Sequence, residues 1–300
     1  MASPILPRSI VDPTGQQRRV ANAYKDIASR MRLIKRGMLR ILDQQQYKVV
    51  TLNAVNAEQL KTYVFELDDF TLANIDAEIA LLVDSLISEG TPQTNWMLSA
   101  YVTPAYQNGV ALAYSNISVQ SAEYLATKPT LESVLLSPAY RRRLGLTQSR
   151  VFNEMLGLSE TMKADLANTL TRGMALGQNP RKIANDIVAR VGVNESRAQR
   201  IAQTEIVGAM RTARREEAAD AQERLGIRTM LMHLSALKST SRASHVARHA
   251  KLYTIQEVAN WYAIVPNMIN CYCTQVEVLV DEDGAPLTPS IIDRAKAMRR

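Results

Sequence analysis

Over residues 16–46 the apolar residues Val20, Tyr24, Ile27, Met31, Ile34, Met38 and Ile41 recur every three or four positions. That spacing lines one face of an α-helix and no face of a strand, so the chain must bury long helical stripes. Aromatic residues are only 5% of the 300, beside 12 Gly and 11 Pro. A many-turned sandwich or barrel is therefore disfavoured, and Ala, Leu, Ile and Met are left to fill helix interfaces. With 46% hydrophobic residues the chain can build a real core. The expected class is mainly α: an N-terminal helical module, then a helical region, then a small α+β C-terminal unit.

Further helices fit 54–67, 71–88 and 95–121, the last broken near Pro104, because proline lacks a donor and crowds the preceding turn. The pattern loosens around Lys128-Pro129-Thr130 and Ser137-Pro138. A boundary there gives an N-terminal module over 1–130, a second domain over 131–285 and a basic tail over 286–300. Residues 1–15, with Pro4, Pro7, Pro13 and Gly15, read as an extended arm that orders only against a partner. Within the second domain, helices are expected over 139–156, 159–175, 180–191 and 194–225. Ser159 and Asn194 serve as N-caps, Pro180 fits a first helical position, and Gly177 and Gly192 fit helix ends. Strands are expected over 227–234 and 272–280 with a helix over 255–261 between them, then a turn at Asp281-Glu282-Asp283-Gly284 and a frayed basic helix over 294–300.

The net charge of +7 favours acidic or phosphate-rich partners. In the first fifty residues ten cations, among them Arg18, Arg19, Lys35, Arg36 and Arg40, face three aspartates. The next fifty hold eight acids against Lys61. The basic run reads either as a solvated helix face or as a weak, non-specific contact with duplex DNA through Arg18, Arg19, Lys35, Arg36 and Arg40. No apolar stretch is long enough to span a bilayer, and the N-terminus lacks the apolar core of a secretory signal, so a cytosolic start is expected. The two cysteines are one residue apart, which excludes a long-range disulfide within one chain and suits a reducing compartment.

Three short segments carry the most specific signal. They are Arg200-Ile201-Ala202-Gln203-Thr204-Glu205 on a predicted helix, Thr240-Ser241-Arg242-Ala243-Ser244-His245, and Asn270-Cys271-Tyr272-Cys273. Their order and spacing over residues 145–280 resemble the head-morphogenesis domain of tailed-phage minor head proteins, the family of Mu F-like and gene-7-like proteins. Gln203 stands where many relatives have Arg, His233 where Trp is usual, Lys238 and His249 where Asp is usual, Ser241 where Thr is usual and Tyr272 where Arg is common. The resemblance implies a structural minor head protein and not an enzyme, in the virion after assembly in the host cytoplasm. Its expected partners are the portal protein, the major capsid protein and packaged double-stranded DNA, with a role in head assembly and genome ejection. Arg200, Thr204, Glu205, Arg242, Ser244 and Asn270 become its structural motif, with Glu205 expected to clasp Arg242.

His245 and His249 would share a helix face, and Cys271 and Cys273 a strand face, so these four could hold one structural zinc tetrahedrally. The plainer alternative is a buried free-thiol pair beside hydrogen-bonded histidines. Two enzymatic readings compete. One is a zinc-dependent nuclease-like domain built on His245. The other is an ADP-ribosyltransferase-like toxin domain, on the resemblance of Arg228, Ser239-Thr240-Ser241 and Gln275-x-Glu277 to that family's elements.

Overall fold

The computed structural model describes residues 3–53 and 59–299 of the chain. It is mainly helical, with two small antiparallel sheets, and it divides into two compact units. One unit comprises Met1–Asn22, Pro92–Val151 and Arg200–Arg300; the other comprises Ala23–Thr91 and Phe152–Gln199. Neither is one continuous stretch, because three long helices each contribute residues to both.

The first of these is α1 (Gln17–Asp43), which buries Val20, Ile27, Met31, Ile34, Met38 and Ile41 as its spacing requires. Its free N-terminal amides are met by Asp12, whose carboxylate accepts from the Gln16 and Gln17 N–H groups. The preceding arm, expected to order only against a partner, is ordered against the chain itself. Pro4, Pro13 and Thr14 are buried, Leu6 packs into a core cluster, and the Ile5 N–H donates to Asn116 at 2.8 Å. An extended segment loses little entropy on docking when prolines already restrict it, and here the chain's own surface supplies the partner.

After α1 the chain forms a hairpin, β1 (Tyr47–Asn53) and β2 (Gln59–Phe65), with Tyr47 opposite Phe65. The helix expected over 54–67 is thus a strand from residue 59, and its first part, 54–58, lies outside the described residues. Tyr63, Val64 and Phe65 are better suited to a pleated surface than to a helix. Tyr47 packs its ring against Tyr63 and Phe65 at 5.5 and 5.1 Å. Then α2 (Asp69–Ile87) starts at Asp68, whose side chain accepts from the Thr71 N–H.

A π-helical turn (Leu98–Val102) leads straight into α3 (Thr103–Gln120). The expected break at Pro104 does not occur, since the wider turn absorbs the proline's lost donor. Two short helices follow, α4 (Ala122–Thr127) and α5 (Leu131–Leu135). Next come α6 (Pro138–Ala175) and α7 (Pro180–Leu225), each unbroken where two helices were expected. Gly157 and Gly192 sit inside these helices, where glycine costs only about 1 kcal/mol relative to alanine. Ser159 is no cap; its hydroxyl donates to Asp84 at 2.7 Å. Between α6 and α7, Gly177 does take the left-handed conformation at φ 63°. Gln178 closes the helix end by donating to the Gly173 carbonyl, and Asn179 caps α7 by accepting from Arg181.

The C-terminal part adds a three-stranded sheet in the order β4-β3-β5: β3 (Thr229–Leu234), β4 (Leu252–Tyr253) and β5 (Thr274–Leu279). Between its strands lie α8 (Ala243–Ala247), α9 (Ile255–Ala263) and α10 (Val265–Met268), and α11 (Ser290–Ala297) follows β5. The expected frayed tail is partly this last helix, anchored by buried Ile291 and Ala295 against Met232, Leu234, Val276 and Val278.

Close packing of α3 on α7 rests on one glycine. A Cβ built on Gly109 would stand 2.3 Å from the Met210 carbonyl oxygen and 2.8 Å from Ala213 Cβ, neither of which can swing aside. Gly109→Ala is expected to destabilise the protein by about 1 to 3 kcal/mol, the cost of forcing a packed helix pair apart. Denaturant unfolding checks this. Unchanged stability would mean that the two helices separate freely.

Candidate functional site

Antiparallel pairing sets His233 opposite Gln275 and Leu231 opposite Glu277. Alternation along β3 and β5 sends Met232, Leu234, Val276 and Val278 to one face of the sheet, so His233, Gln275 and Glu277 share the other. That second face is polar and still buried. Glu277, fully shielded from solvent, accepts from Arg214 Nε at 2.8 Å and from Nη2 at 2.5 Å, and from the Asn116 amide at 3.0 Å. Gln275 donates to the Tyr262 hydroxyl at 3.1 Å.

At one end of this face, Cys271 and Cys273 meet His245 of α8. Asn270 turns the chain into the Cys-Tyr-Cys run at φ 52°, a left-handed conformation that Asn tolerates better than most residues. The two sulfurs lie 3.4 and 3.5 Å from His245 Nδ1. His233 joins them: its ligand nitrogen, that of His245 and the Cys273 sulfur all lie within 4.8 Å of one another. All four residues are buried, and neither ring nitrogen of His233 has a hydrogen-bond partner among the described residues. A cleft of about 280 Å³, lined in part by Lys238, Thr240, Ser241 and Arg242, reaches His245 and both cysteines.

The charge state of this pocket follows from its packing. A hydrogen bond from the Cys273 thiol lowers the pKa of Cys271 well below the usual thiol range, with the His245 contact and the Arg211 charge prevailing over burial. The same sulfur contact and burial push Cys273 up. The pair is therefore biased to give up its first proton from Cys271. Burial, with the charge of Arg248 added, holds His233 down at about 3, so its imidazole is neutral. Arg211, itself buried, lies 4.2 Å over the Tyr262 ring and donates to the Cys271 carbonyl at 3.4 Å. Trp261 closes another side, its ring 5.5 Å from that of His245. Two sulfurs and two imidazoles are a donor set for a soft or borderline cation.

The expected ligand His249 is not part of this cluster. Helix α8 ends at Ala247, so the one-face relation between positions 245 and 249 is lost. His249 Nδ1 instead accepts from the Ser235 N–H at 3.2 Å and Nε2 donates to the Ala295 carbonyl at 2.9 Å. Both nitrogens are thus occupied. Nor does Glu205 clasp Arg242. It forms a forked pair with Arg150, at 3.2 and 2.6 Å, while Arg242 donates to the Ile269 carbonyl at 2.7 Å and lies 3.4 Å from His245 Nε2. Thr204 is buried, its hydroxyl accepting from the Asn270 N–H at 3.4 Å; Arg200 and Ser244 are exposed. The signal that could have found His233 was its own oddity, an imidazole where the resembling family has an indole.

The transferase elements do not assemble. Arg228 pairs with Glu282 at the surface, Ser239 and Thr240 are exposed, and the Glu277 carboxylate is taken by Arg214 and Asn116 inside the core. A carboxylate so held cannot orient a ribose.

Residues 164–276 match the family model described as Phage Mu protein F like protein. This stretch of the chain is Mu F-like. It contains Thr204, Glu205, Arg242 and all four residues of the cluster, and this similarity supports a phage head-related protein. No curated protein and no solved structure matches the chain. Among the described residues no helix is long and apolar enough to cross a membrane.

Glu205, inside the Mu F-like segment, and Glu277, one residue past its end, are both buried carboxylates, yet they differ in what they leave behind. Glu277→Ala strands Arg214, whose side chain is 4% exposed, and is expected to cost about 3 to 5 kcal/mol. Glu205→Ala releases Arg150, half of whose side chain already faces water, and should cost below about 1 kcal/mol. Equal losses in parallel unfolding titrations would contradict the assignment of Arg214–Glu277 as the buried pair that matters.

Proposed function

We propose that the protein is a structural minor head protein of a tailed bacteriophage, acting in head assembly at the portal vertex or on the capsid interior. The match of residues 164–276 to the Mu F-like family carries this reading. The motif residues support it by what they do: Thr204 and Arg242 hold backbone groups around Asn270, and Glu205 ties α7 to α6, tasks of fold maintenance. Portal and major capsid proteins are the partners proposed for it, and passage with the genome at ejection belongs to the same reading.

Contact with packaged DNA is the second part of the proposal. On α1, Lys25, Arg32, Arg36 and Arg40 are exposed, and their spacing of seven, four and four places them along one helix face. Arg18 is exposed too, whereas Arg19 is partly buried and bonded to Gln16, and Lys35 is partly buried. The basic face therefore centres on Lys25, Arg32, Arg36 and Arg40 more than on the contiguous pairs Arg18-Arg19 and Lys35-Arg36. A cationic stripe attracts duplex phosphates without reading bases.

Mass spectrometry of purified virions tests the first part. The chain is expected in mature particles at low copy, and its restriction to unpackaged cell lysate would overturn the reading. For the second, each phosphate neutralised should add roughly 0.9 to the negative log-log salt slope of duplex binding. Replacing Lys25, Arg32, Arg36 and Arg40 with Glu should remove most of that slope while leaving the fold intact. An unchanged slope, or a preference for one sequence, would refute the DNA contact.

A further inference from the structure

At the Cys-Tyr-Cys turn, ligand atoms of His233, His245 and Cys273 lie within 4.8 Å of one another, and the Cys271 sulfur joins them 3.4 Å from His245 Nδ1. The strongest sign is His233. It is 1% exposed, both its nitrogens lack a hydrogen-bond partner among the described residues, and its ring sits 6.3 Å from that of His245. A buried imidazole ordinarily uses both nitrogens, as His249 does nearby. Leaving two polar atoms unmet in the core is costly unless something else meets them.

We infer that His233, His245, Cys271 and Cys273 bind one structural zinc ion, with His233 as the fourth ligand. Around His245 the distances already approach those of such a site. A tetrahedral ion with sulfur at about 2.3 Å and nitrogen at about 2.0 to 2.1 Å keeps a sulfur and a nitrogen about 3.6 Å apart. The two sulfurs lie 3.4 and 3.5 Å from His245 Nδ1. His233 comes from the central strand, His245 from α8, and the cysteines from the entrance to β5. The ion would cross-link three segments of the chain, with His245 and Cys271 alone 26 positions apart.

Charge balance agrees. Two thiolates and two neutral imidazoles leave the ion's site formally neutral, so zinc displaces the Cys273 proton, together with any proton remaining on Cys271, to water. Ligation through His245 Nδ1 leaves the ring proton on Nε2, which now lies 3.4 Å from Arg242. Arg242 is exposed and retains its bond to Ile269 through Nη2, so it can turn that nitrogen away. The cleft of about 280 Å³ that reaches His245 and both cysteines gives the ion a path in. With four protein ligands no position is left for a catalytic water, which makes the site structural. The assignment does not rest on the head-protein reading, and each can fail without the other.

The test uses full-length protein purified without chelator, its metal content measured by plasma mass spectrometry. About one zinc per chain is expected in the wild type and in His249→Asn, falling to a trace in His233→Asn and Cys273→Ser. Because a ligand variant can misfold, a second measurement uses wild type alone. Stripped protein titrated with Co(II) should develop the intense thiolate charge-transfer and tetrahedral ligand-field bands of a two-sulfur site, with both thiols becoming unreactive as the metal binds. Three results would overturn the inference: no stoichiometric metal after incubation with zinc, thiols that stay reactive throughout, or zinc lost from His249→Asn but kept by His233→Asn.

Discussion

A buried polar layer between α7 and the C-terminal sheet joins most of what surrounds it. Arg214 and Glu277 form its centre, both almost without solvent. Asn116 of α3 donates to Glu277 and accepts from Ile5 of the N-terminal arm, so one side chain ties helix, strand and arm together. Gln120 donates to the Glu277 carbonyl at 2.9 Å and accepts from the Leu279 N–H at 3.1 Å. Those are edge groups of β5, and covering them leaves less strand open to pair with another chain. Near the next turn of α7, Glu217 takes Tyr124, Lys128 and Arg143 at 2.5 to 2.8 Å. Such a network confers little net stability over a well-packed apolar core, but removing one member leaves a stranded charge. It makes the arrangement of segments hard to exchange for another.

This layer also bears on function. Glu277 and Gln275, the residues that suggested transferase chemistry, are consumed in it or beside it. The motif residues at the other end of the sheet behave alike. Thr204 and Arg242 hold backbone around Asn270, and the left-handed Asn270 aims the two cysteines at His245. These groups look inward, to the fold, more than outward to a substrate. The function proposed above accordingly rests on surfaces and not on a pocket, the cationic stripe on α1 among them.

The sequence by itself determined the class. Helical spacing in α1, the caps around Gly177 and Pro180, the strands near 229–234 and 274–279, and the Mu F-like order of motifs were all legible, because each depends on a few residues close in the chain. It misled where local punctuation met long-range packing. Gly192 read as a helix end and Ser159 as an N-cap, yet α7 and α6 run through them, because burial along both helices outweighs such local signals, of which the glycine is worth about 1 kcal/mol. Residues 59–65 carried apolar groups that suited either period, and only their pairing with 47–53 made them a strand.

The site shows the same division more sharply. Cys271, Cys273 and His245 could be nominated from residue type and spacing, but their fourth neighbour could not. His249 lies four residues from His245 and was the natural choice on a helix; α8 stops at Ala247 and turns it toward Ser235 and Ala295. His233 lies twelve residues before His245 and reaches the cluster only because β3 pairs with β5 in a register that carries it to the polar face. Register is a property of two strands together, fixed by which faces they bury, and no one-dimensional spacing contains it.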